Sequence, residues 1–307
     1  MTTAPPVPSR HRTPMALGAI ILFWGANFSV VKLALRDLAP LPFTTLRFLL
    51  ASALLWVFLA IAGDRVRIER RHWAAVVGLG LVGTTVYQVL FIYGIDRTLA
   101  GNASLMLATG PVFTALLSLG FRQERSSLPI AAGVGLSVTG IALVVFGGLR
   151  GVGFSAGTLS GDLAVLAAAA GWSTYTVGST PLVRRYGAMP MTAATMWVGT
   201  AGLLLIALPS LRLQDWATVR PAAWLAVLYS GAFAIATTYF LWGYCIRQIG
   251  STRTVVYTNF TPLVALAIAW PTLGETPSLL QLLGASGVVA GSILVRAGKI
   301  ERTQELQ

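Results

Sequence analysis

Long apolar stretches, separated by short polar segments, run along nearly the whole chain. Each is roughly 20 residues long with few charges, which is the length that crosses a bilayer core as a helix. The pattern predicts ten transmembrane helices, at residues 15–35, 42–62, 73–93, 98–119, 128–147, 161–180, 190–208, 222–243, 252–272 and 278–296. The alternation of apolar and polar residues that marks barrel strands is not visible. We therefore predict an all-α integral membrane protein.

The second half of the chain repeats the first. Near the start the repeat offset is 148, so that Trp24 matches Trp172 and Pro42 matches Pro190. Further on the offset is 151, and it matches Trp73 with Trp224, Tyr93 with Tyr244, Pro111 with Pro262, Glu124 with Glu275, Leu128 with Leu279, Gly133 with Gly284 and Gly140 with Gly291. Because acids are scarce in this chain, a glutamate pair in register with proline and glycine pairs indicates two homologous halves.

The repeat divides the chain into five parts. We predict an N-terminal tail over 1–14, a first five-helix repeat over 15–147, a connecting loop over 148–160, a second five-helix repeat over 161–296 and a C-terminal tail over 297–307. Five is an odd number, so the second repeat must cross the membrane in the opposite sense to the first. Inverted repeats are typical of transporters, whose site lies near the middle of the bilayer between the repeats.

Composition and charge support the membrane assignment. The chain is 55% hydrophobic and only 10% charged, whereas a soluble domain carries about 25% charged residues. Of its 22 lysines and arginines, fifteen fall in segments that face inward if the N-terminus is inside, five in outward segments and two within helices. This bias predicts that both termini are cytoplasmic. It also explains the net charge of +12 without a nucleic-acid partner.

Few residues are suited to metal or enzymatic chemistry. The single cysteine, Cys245, excludes a disulfide within the chain, and both histidines, His11 and His72, lie in polar segments. A membrane enzyme would need a nucleophile, base or metal cluster, and we find no acid cluster, histidine pair or glycine-rich phosphate loop. We therefore predict no metal, no cofactor and no enzymatic activity.

Several motifs together resemble a known family. Trp24-Gly25, Arg47-Phe48, Pro111 and the turns at Glu124 and Glu275 are similar to those of the drug/metabolite transporter superfamily, in its EamA-type form. Within it the arrangement resembles the YddG-type amino acid exporters. The resemblance covers about residues 15–296. It implies a ten-helix transporter of a bacterial inner membrane, which exports amino acids or related metabolites through a cavity lined by helices 1, 3, 4, 6, 8 and 9. One departure is Arg122-Gln123-Glu124, where the family more often has Leu-Gly-Glu.

Polar and aromatic residues recur at helical spacing on the same six helices, which marks a face turned inward. We assign to a substrate passage Trp24, Asn27, Tyr87, Gln88, Asn102, Met106, Trp172, Tyr175, Tyr239, Trp242, Tyr257 and Asn259. An aromatic side chain could instead anchor the interface with the headgroups, as we expect for Trp56, Trp73, Trp216 and Trp224 near helix ends. The polar side chains could equally serve helix–helix hydrogen bonds, which contribute about 0.6 kcal/mol each.

Four charged residues could contact substrate or take part in gating. A cation inside the bilayer is costly, which makes Arg47 and Arg253 candidates for holding a substrate carboxylate, with packing against backbone carbonyls as an equal alternative. Glu124 and Glu275 could cap or tie helix ends, or act in gating.

The distribution of acids predicts the kind of substrate. By the predicted boundaries, no acid lies in the middle of a helix: nine lie in loops, turns or tails, and Asp162 lies at the very start of the helix 161–180. A proton-coupled exporter of organic cations generally needs an acid within the membrane. We therefore predict a neutral or zwitterionic, often hydrophobic solute, moved by facilitated diffusion or exchange. The alternatives are a broad-specificity exporter with ion coupling and a membrane scaffold that transports nothing. The partners predicted are a small-molecule substrate and the lipid bilayer, and both a monomer and an oligomer remain open.

Overall fold

The computed structural model describes residues 12–63, 66–120, 128–152, 156–249, 257 and 260–305. All regular structure within these residues is helical, which confirms the all-α prediction. We number the helices α1 (Arg12–Ala34), α2 (Pro40–Ala62), α3 (Arg70–Arg97), α4 (Ala100–Leu107 and Gly110–Gly120), α5 (Leu128–Val152), α6 (Ala156–Tyr186), α7 (Ala188–Leu213), α8 (Pro221–Leu228, Tyr229–Thr237 and Thr238–Ile249), α9 (Thr261–Leu273) and α10 (Leu279–Glu305).

Within the described residues, five helices are long and apolar enough to cross a membrane: Arg12–Ala34, Pro40–Ile61, Arg70–Arg97, Ala188–Leu213 and Pro221–Trp242. Shorter apolar helical stretches follow at Ala131–Val144, Thr261–Leu273 and Leu279–Leu294. A described helix therefore lies at each of the ten positions that the apolar pattern predicts.

Several helices extend beyond their predicted ends. Helix α5 continues to Val152 and α6 begins at Ala156, so both enter the predicted connecting loop 148–160. Helix α1 begins at Arg12 inside the predicted tail 1–14, and α10 continues to Glu305 through most of the predicted tail 297–307. Hydropathy marks only the part of a helix that lies in lipid, whereas backbone hydrogen bonding continues past it into water.

Helices α3 and α8 each contain a π-helical segment in their middle. The segments are Leu81–Val86 and Tyr229–Thr237, and they overlap when the repeat offset of 151 is applied. Helix α4 is interrupted at 108–109. Such local departures from α-helical hydrogen bonding are frequent at functional sites.

Contacts between the halves follow the repeat. A Cβ added at Gly140 in α5 would lie 2.7 Å from the carbonyl oxygen of Gly284 in α10. The repeat partners of these two residues make the corresponding contact, since a Cβ at Gly291 would lie 2.5 Å from the carbonyl oxygen of Gly133. Ser52 of α2 and Thr200 of α7, which are 148 residues apart, hydrogen-bond to each other at 2.9 Å. This exchange of partners is what a two-fold axis between the halves requires.

The turns gather at two ends of the bundle. The outer end is defined as the end that carries residues 35–39, 98–99, 214–220 and 274–278. The inner end is defined as the end that carries residues 66–72 and Gly187. These names follow the orientation that lysine and arginine predict. Residues of the two halves meet at both ends, through Asp37 with Arg220 at the outer end and Glu69 with Arg185 at the inner end.

Candidate functional site

A buried arginine stands at the centre of the site. The side chain of Arg47 in α2 is only 1% exposed. Its Nη2 donates to Gln88 Oε1 at 2.7 Å, and its Nη1 donates to Ser230 Oγ at 3.3 Å. Ser230 in turn donates to the amide oxygen of Asn27. Four helices, α1, α2, α3 and α8, therefore meet in one polar cluster that spans both halves.

Aromatic rings surround the guanidinium on its other sides. Its central carbon lies 5.1 Å from the ring centroid of Phe43, 5.7 Å from that of Phe48 and 5.6 Å from that of Phe91. Tyr87 and Tyr239 are within electrostatic range. Ring faces attract a cation but supply no hydrogen bonds.

The cation has no carboxylate partner among the described residues, where every ion pair involves other arginines. Of the five N–H groups that a guanidinium carries, the Nε group is buried without a described hydrogen-bond partner. A buried charge is stable only when it is paired or fully hydrogen-bonded. The site can therefore accept an anionic group.

Three of the predicted aromatic residues form a continuous wall beside Arg47. The ring centroids of Tyr87 and Trp172 are 5.3 Å apart, as are those of Trp172 and Tyr175. The hydroxyl of Tyr175 hydrogen-bonds to Thr195 Oγ1 at 3.1 Å, which fixes the end of the wall. This wall joins α3 of the first half to α6 of the second.

A second aromatic pair lies between α1 and α8. The rings of Trp24 and Trp242 are 5.5 Å apart, and the indole N–H of Trp24 donates to Ala234 O at 3.0 Å and to Thr238 Oγ1 at 3.1 Å. Under the repeat, Trp24 corresponds to Trp172 and Thr238 to Tyr87. The contact of Trp24 with Thr238 and the contact of Trp172 with Tyr87 therefore occupy repeat-related places.

Asn102 and Met106 lie elsewhere. Asn102 accepts a hydrogen bond at 2.8 Å from Gln281 Nε2, which ties α4 to α10. Met106 is fully buried in the apolar core. The carboxylate of Glu275 accepts from the backbone N–H groups of Ala100 at 3.0 Å and Gly101 at 3.2 Å, and so caps α4 at the outer end.

Four of the acids that the structure describes lie in helices and not in loops, turns or tails: Asp96 at the end of α3, Glu301 and Glu305 in α10, and Asp162. Of these, Asp162 is the acid that departs most from the prediction. It is the seventh residue of α6, because this helix begins before the predicted residue 161. Its side chain is 0% exposed and accepts a hydrogen bond from Thr98 Oγ1, with Asn102 beside it. The chain therefore holds a buried carboxylate near the outer end, which the predicted boundaries did not reveal.

An open cavity of about 360 Å³ lies at the outer end between the two halves. It is lined by Lys32, Leu35, Arg36, Ile95, Asp96, Leu99, Leu273 and Glu275. Its charged lining contains two cations and two anions.

The structure describes one of the remaining predicted residues. Tyr257 is 43% exposed, whereas Arg253, Asn259 and Glu124 lie outside the described residues. The residues assigned to the passage also leave out four contacts of Arg47, namely Ser230, Phe43, Phe48 and Phe91. Ser230 lies in the π-helical segment Tyr229–Thr237 of α8, where side chains do not follow α-helical spacing, so the sequence pattern carries no signal for it.

The fold and this site define a membrane transporter: a helical bundle of two repeats with a polar cluster buried between them. The chain belongs to the EamA-like transporter family, whose model matches residues 14–146 and 159–297. The drug/metabolite transporter resemblance, in its EamA-type form, is thereby confirmed.

Individual relatives agree with this assignment. The chain is 30% identical over 272 residues to "Uncharacterized transporter YdfC" of Bacillus subtilis, covering 89% of this chain and 87% of the relative. It is 30% identical over 293 residues to "Probable terminal-alkyne amino-acid exporter" of Streptantibioticus cattleyicolor, covering 94% and 95%. A solved crystal structure covers 97% of this chain and 100% of its own, with a TM-score of 0.66 and 21% identity, which supports the fold alone.

Proposed function

We propose that this protein carries small zwitterionic metabolites with apolar side chains, amino acids foremost, across a bacterial inner membrane by alternating access. Both termini face the cytoplasm in this proposal, as the lysine and arginine distribution predicts. The relative from Streptantibioticus cattleyicolor, named a probable terminal-alkyne amino-acid exporter, supports the substrate class.

The observation that carries the proposal is Arg47. A guanidinium that is 1% exposed, with no described carboxylate partner, can hold the carboxylate of an incoming substrate. Arginine suits this role because its planar fork pairs with a carboxylate through two parallel hydrogen bonds. Gln88 and Ser230 hold the guanidinium in place while no substrate is bound.

The aromatic wall of Tyr87, Trp172 and Tyr175 receives the apolar side chain of the substrate in this proposal. Its position beside Arg47 lets one ligand reach both the cation and the rings. Because the wall and the cluster draw on both halves, movement of one half against the other changes the shape of the site, as alternating access requires. Glu275 contributes by holding the outer end of α4, and Tyr239 lies within electrostatic range of Arg47.

We expect Trp172→Ala to weaken binding of phenylalanine and tryptophan about 2- to 10-fold, because a ring–ring contact contributes about 0.5–1.5 kcal/mol. Binding of threonine should be weakened much less. Competition against labelled substrate in proteoliposomes measures both effects. Trp56→Ala is the matched control, since Trp56 is 61% exposed on the surface of α2. Equal loss in both variants, or no change in the preference for aromatic substrates, would contradict the assignment.

Ion-coupled transport is a second candidate, and Asp162 is the observation that favours it. A buried carboxylate inside a transporter can bind and release a proton during the cycle. We nevertheless propose uncoupled transport or exchange, because Asp162 lies near the end of α6 and contacts Thr98 and Asn102, away from the Arg47 cluster.

A flux screen over the natural amino acids in proteoliposomes tests the proposal. Uptake of labelled phenylalanine, tryptophan, threonine or methionine down its own gradient supports transport, and its absence for every amino acid refutes the proposed substrate class. Accumulation driven uphill by a pH gradient, and lost in Asp162→Asn, would establish the coupled alternative instead.

A further inference from the structure

Two ion pairs join the halves, one at each end of the bundle. At the outer end, Arg220 Nε donates to both carboxylate oxygens of Asp37, at 3.0 and 2.9 Å, and its Nη2 lies 2.8 Å from Oδ1. At the inner end, Arg185 Nη2 forms an ion pair with Glu69 Oε1. Each pair connects a turn of the first half to a residue of the second half.

The two pairs are images of each other under the repeat, with the charges exchanged. Asp37 and Arg185 are 148 residues apart, the offset that matches Trp24 with Trp172. Glu69 and Arg220 are 151 residues apart, the offset that matches Trp73 with Trp224. The repeat therefore carries the outer pair onto the inner pair and places an acid where its partner has a base.

This exchange assigns one sign of charge to each half. Both acids belong to the first half and both arginines to the second. If either half met a copy of itself in the same arrangement, Asp37 would face Glu69 or Arg185 would face Arg220, and like charges would repel. The charges therefore favour contact between unlike halves, at both ends of the bundle.

We infer that these pairs act as two matched latches, Asp37–Arg220 holding the outer end closed and Glu69–Arg185 holding the inner end closed. The inference rests on the proposed alternating-access mechanism, in which the halves separate at one end at a time. Because the latches are repeat-related, their loss should shift the conformational equilibrium by similar amounts. Loss of the outer latch favours the outer-open state, and loss of the inner latch favours the inner-open state.

Neighbouring neutral contacts reinforce each latch. At the outer end, Gln214 of the second half accepts from the backbone N–H of Ala39 at 2.9 Å and donates to the carbonyl of Asp37 at 3.2 Å. At the inner end, the hydroxyl of Tyr186 in the second half hydrogen-bonds to His72 Nδ1.

Both latches remain charged at neutral pH. The Arg220 hydrogen bond holds the pKa of Asp37 below its ordinary value, and the Arg185 hydrogen bond does the same for Glu69.

Distance measurements between spin labels test the latches in the full chain. In a Cys245→Ser background, Leu33→Cys with Ala217→Cys reports on the outer end, and Ala74→Cys with Ala188→Cys reports on the inner end; all four positions are exposed. We expect Arg220→Gln to raise the outer-open population about 2- to 5-fold, the range for loss of one exposed ion pair. Arg185→Gln should raise the inner-open population by a similar factor.

The chain offers control substitutions that remove an arginine charge but leave the ion pairs between the halves intact. Arg71 pairs with the same Glu69 from within the first half, at 2.7 Å, so Arg71→Gln should leave the inner distances unchanged. Arg97 pairs with Asp96 in the same half, so Arg97→Gln should leave the distances at the outer end unchanged. The exchange Asp37→Arg with Arg220→Asp should restore the wild-type distribution.

The possible outcomes distinguish failure of the latch proposal from failure of the alternating-access mechanism on which it rests. Shifts of the same direction in Arg220→Gln and Arg185→Gln, or no shift in either while wild-type distances respond to substrate, would overturn the latches. Wild-type distances that do not respond to a substrate that the protein transports would overturn alternating access itself.

Discussion

Replacing Arg47 with glutamine is expected to raise the dissociation constant for phenylalanine about 10- to 100-fold, because a hydrogen bond to a charged group contributes about 1.5–3 kcal/mol. The expected loss is specific to the carboxylate. Phenylalaninamide, which keeps the ring and the amine but has no carboxylate, should bind the variant and the wild-type protein with affinities that agree within about 3-fold, a difference below 1 kcal/mol.

Binding to purified protein, followed by ligand-induced thermal stabilisation, measures both constants without a contribution from passive permeation. Arg47→Lys keeps the charge but not the planar fork, and it should give an intermediate loss. Arg212→Gln is the matched control, since Arg212 is exposed at the end of α7. If Arg47 only supports packing, phenylalanine and its amide will lose affinity equally.

The second large effect concerns stability. Gly140→Ala is expected to destabilise the protein by about 1–3 kcal/mol, because overpacking of a close contact has this range. The added Cβ would lie 2.7 Å from Gly284 O and 2.7 Å from Val288 N, both of which are backbone atoms that cannot turn aside. The midpoint of thermal unfolding in detergent, measured at several detergent concentrations, reports the change.

Gly135→Ala in the same helix is the control. A Cβ there would meet nothing within 4 Å, so the substitution should leave stability unchanged or raise it slightly, since alanine is the better helix former. Gly291→Ala, at the position that the repeat matches with Gly140, should be as destabilising as Gly140→Ala. Similar unfolding midpoints for Gly135→Ala and Gly140→Ala would show that α5 and α10 do not pack as described.

The sequence predicts most of the helices and part of the site. Apolar runs and repeated prolines and glycines locate the helices because the bilayer imposes their length. Helical spacing identifies Gln88, which hydrogen-bonds to Arg47, and Asn27, which joins the same cluster through Ser230. It also identifies Tyr87 and Trp172, whose rings contact each other. Spacing within one helix succeeds here because these residues share the inward faces of their helices.

The rest depends on contacts between distant segments. That Ser230 reaches Arg47, or that Asn102 turns to Gln281 and not to the cluster, follows from which helices are neighbours. Asp162 falls at the very start of its predicted helix, whereas it is the seventh residue of α6 because the helix begins earlier than hydropathy indicates. The π-helical segments of α3 and α8 change the direction of side chains by local hydrogen bonding that an apolar pattern does not encode.

Counterflow in proteoliposomes tests the central claim most directly. Vesicles loaded with unlabelled phenylalanine are diluted into a trace of labelled phenylalanine without any ion gradient. A carrier whose single site opens to one side at a time will accumulate the label transiently above its equilibrium level, and this overshoot is the result we predict. Simple equilibration without an overshoot, equal to that of empty vesicles, would contradict the account.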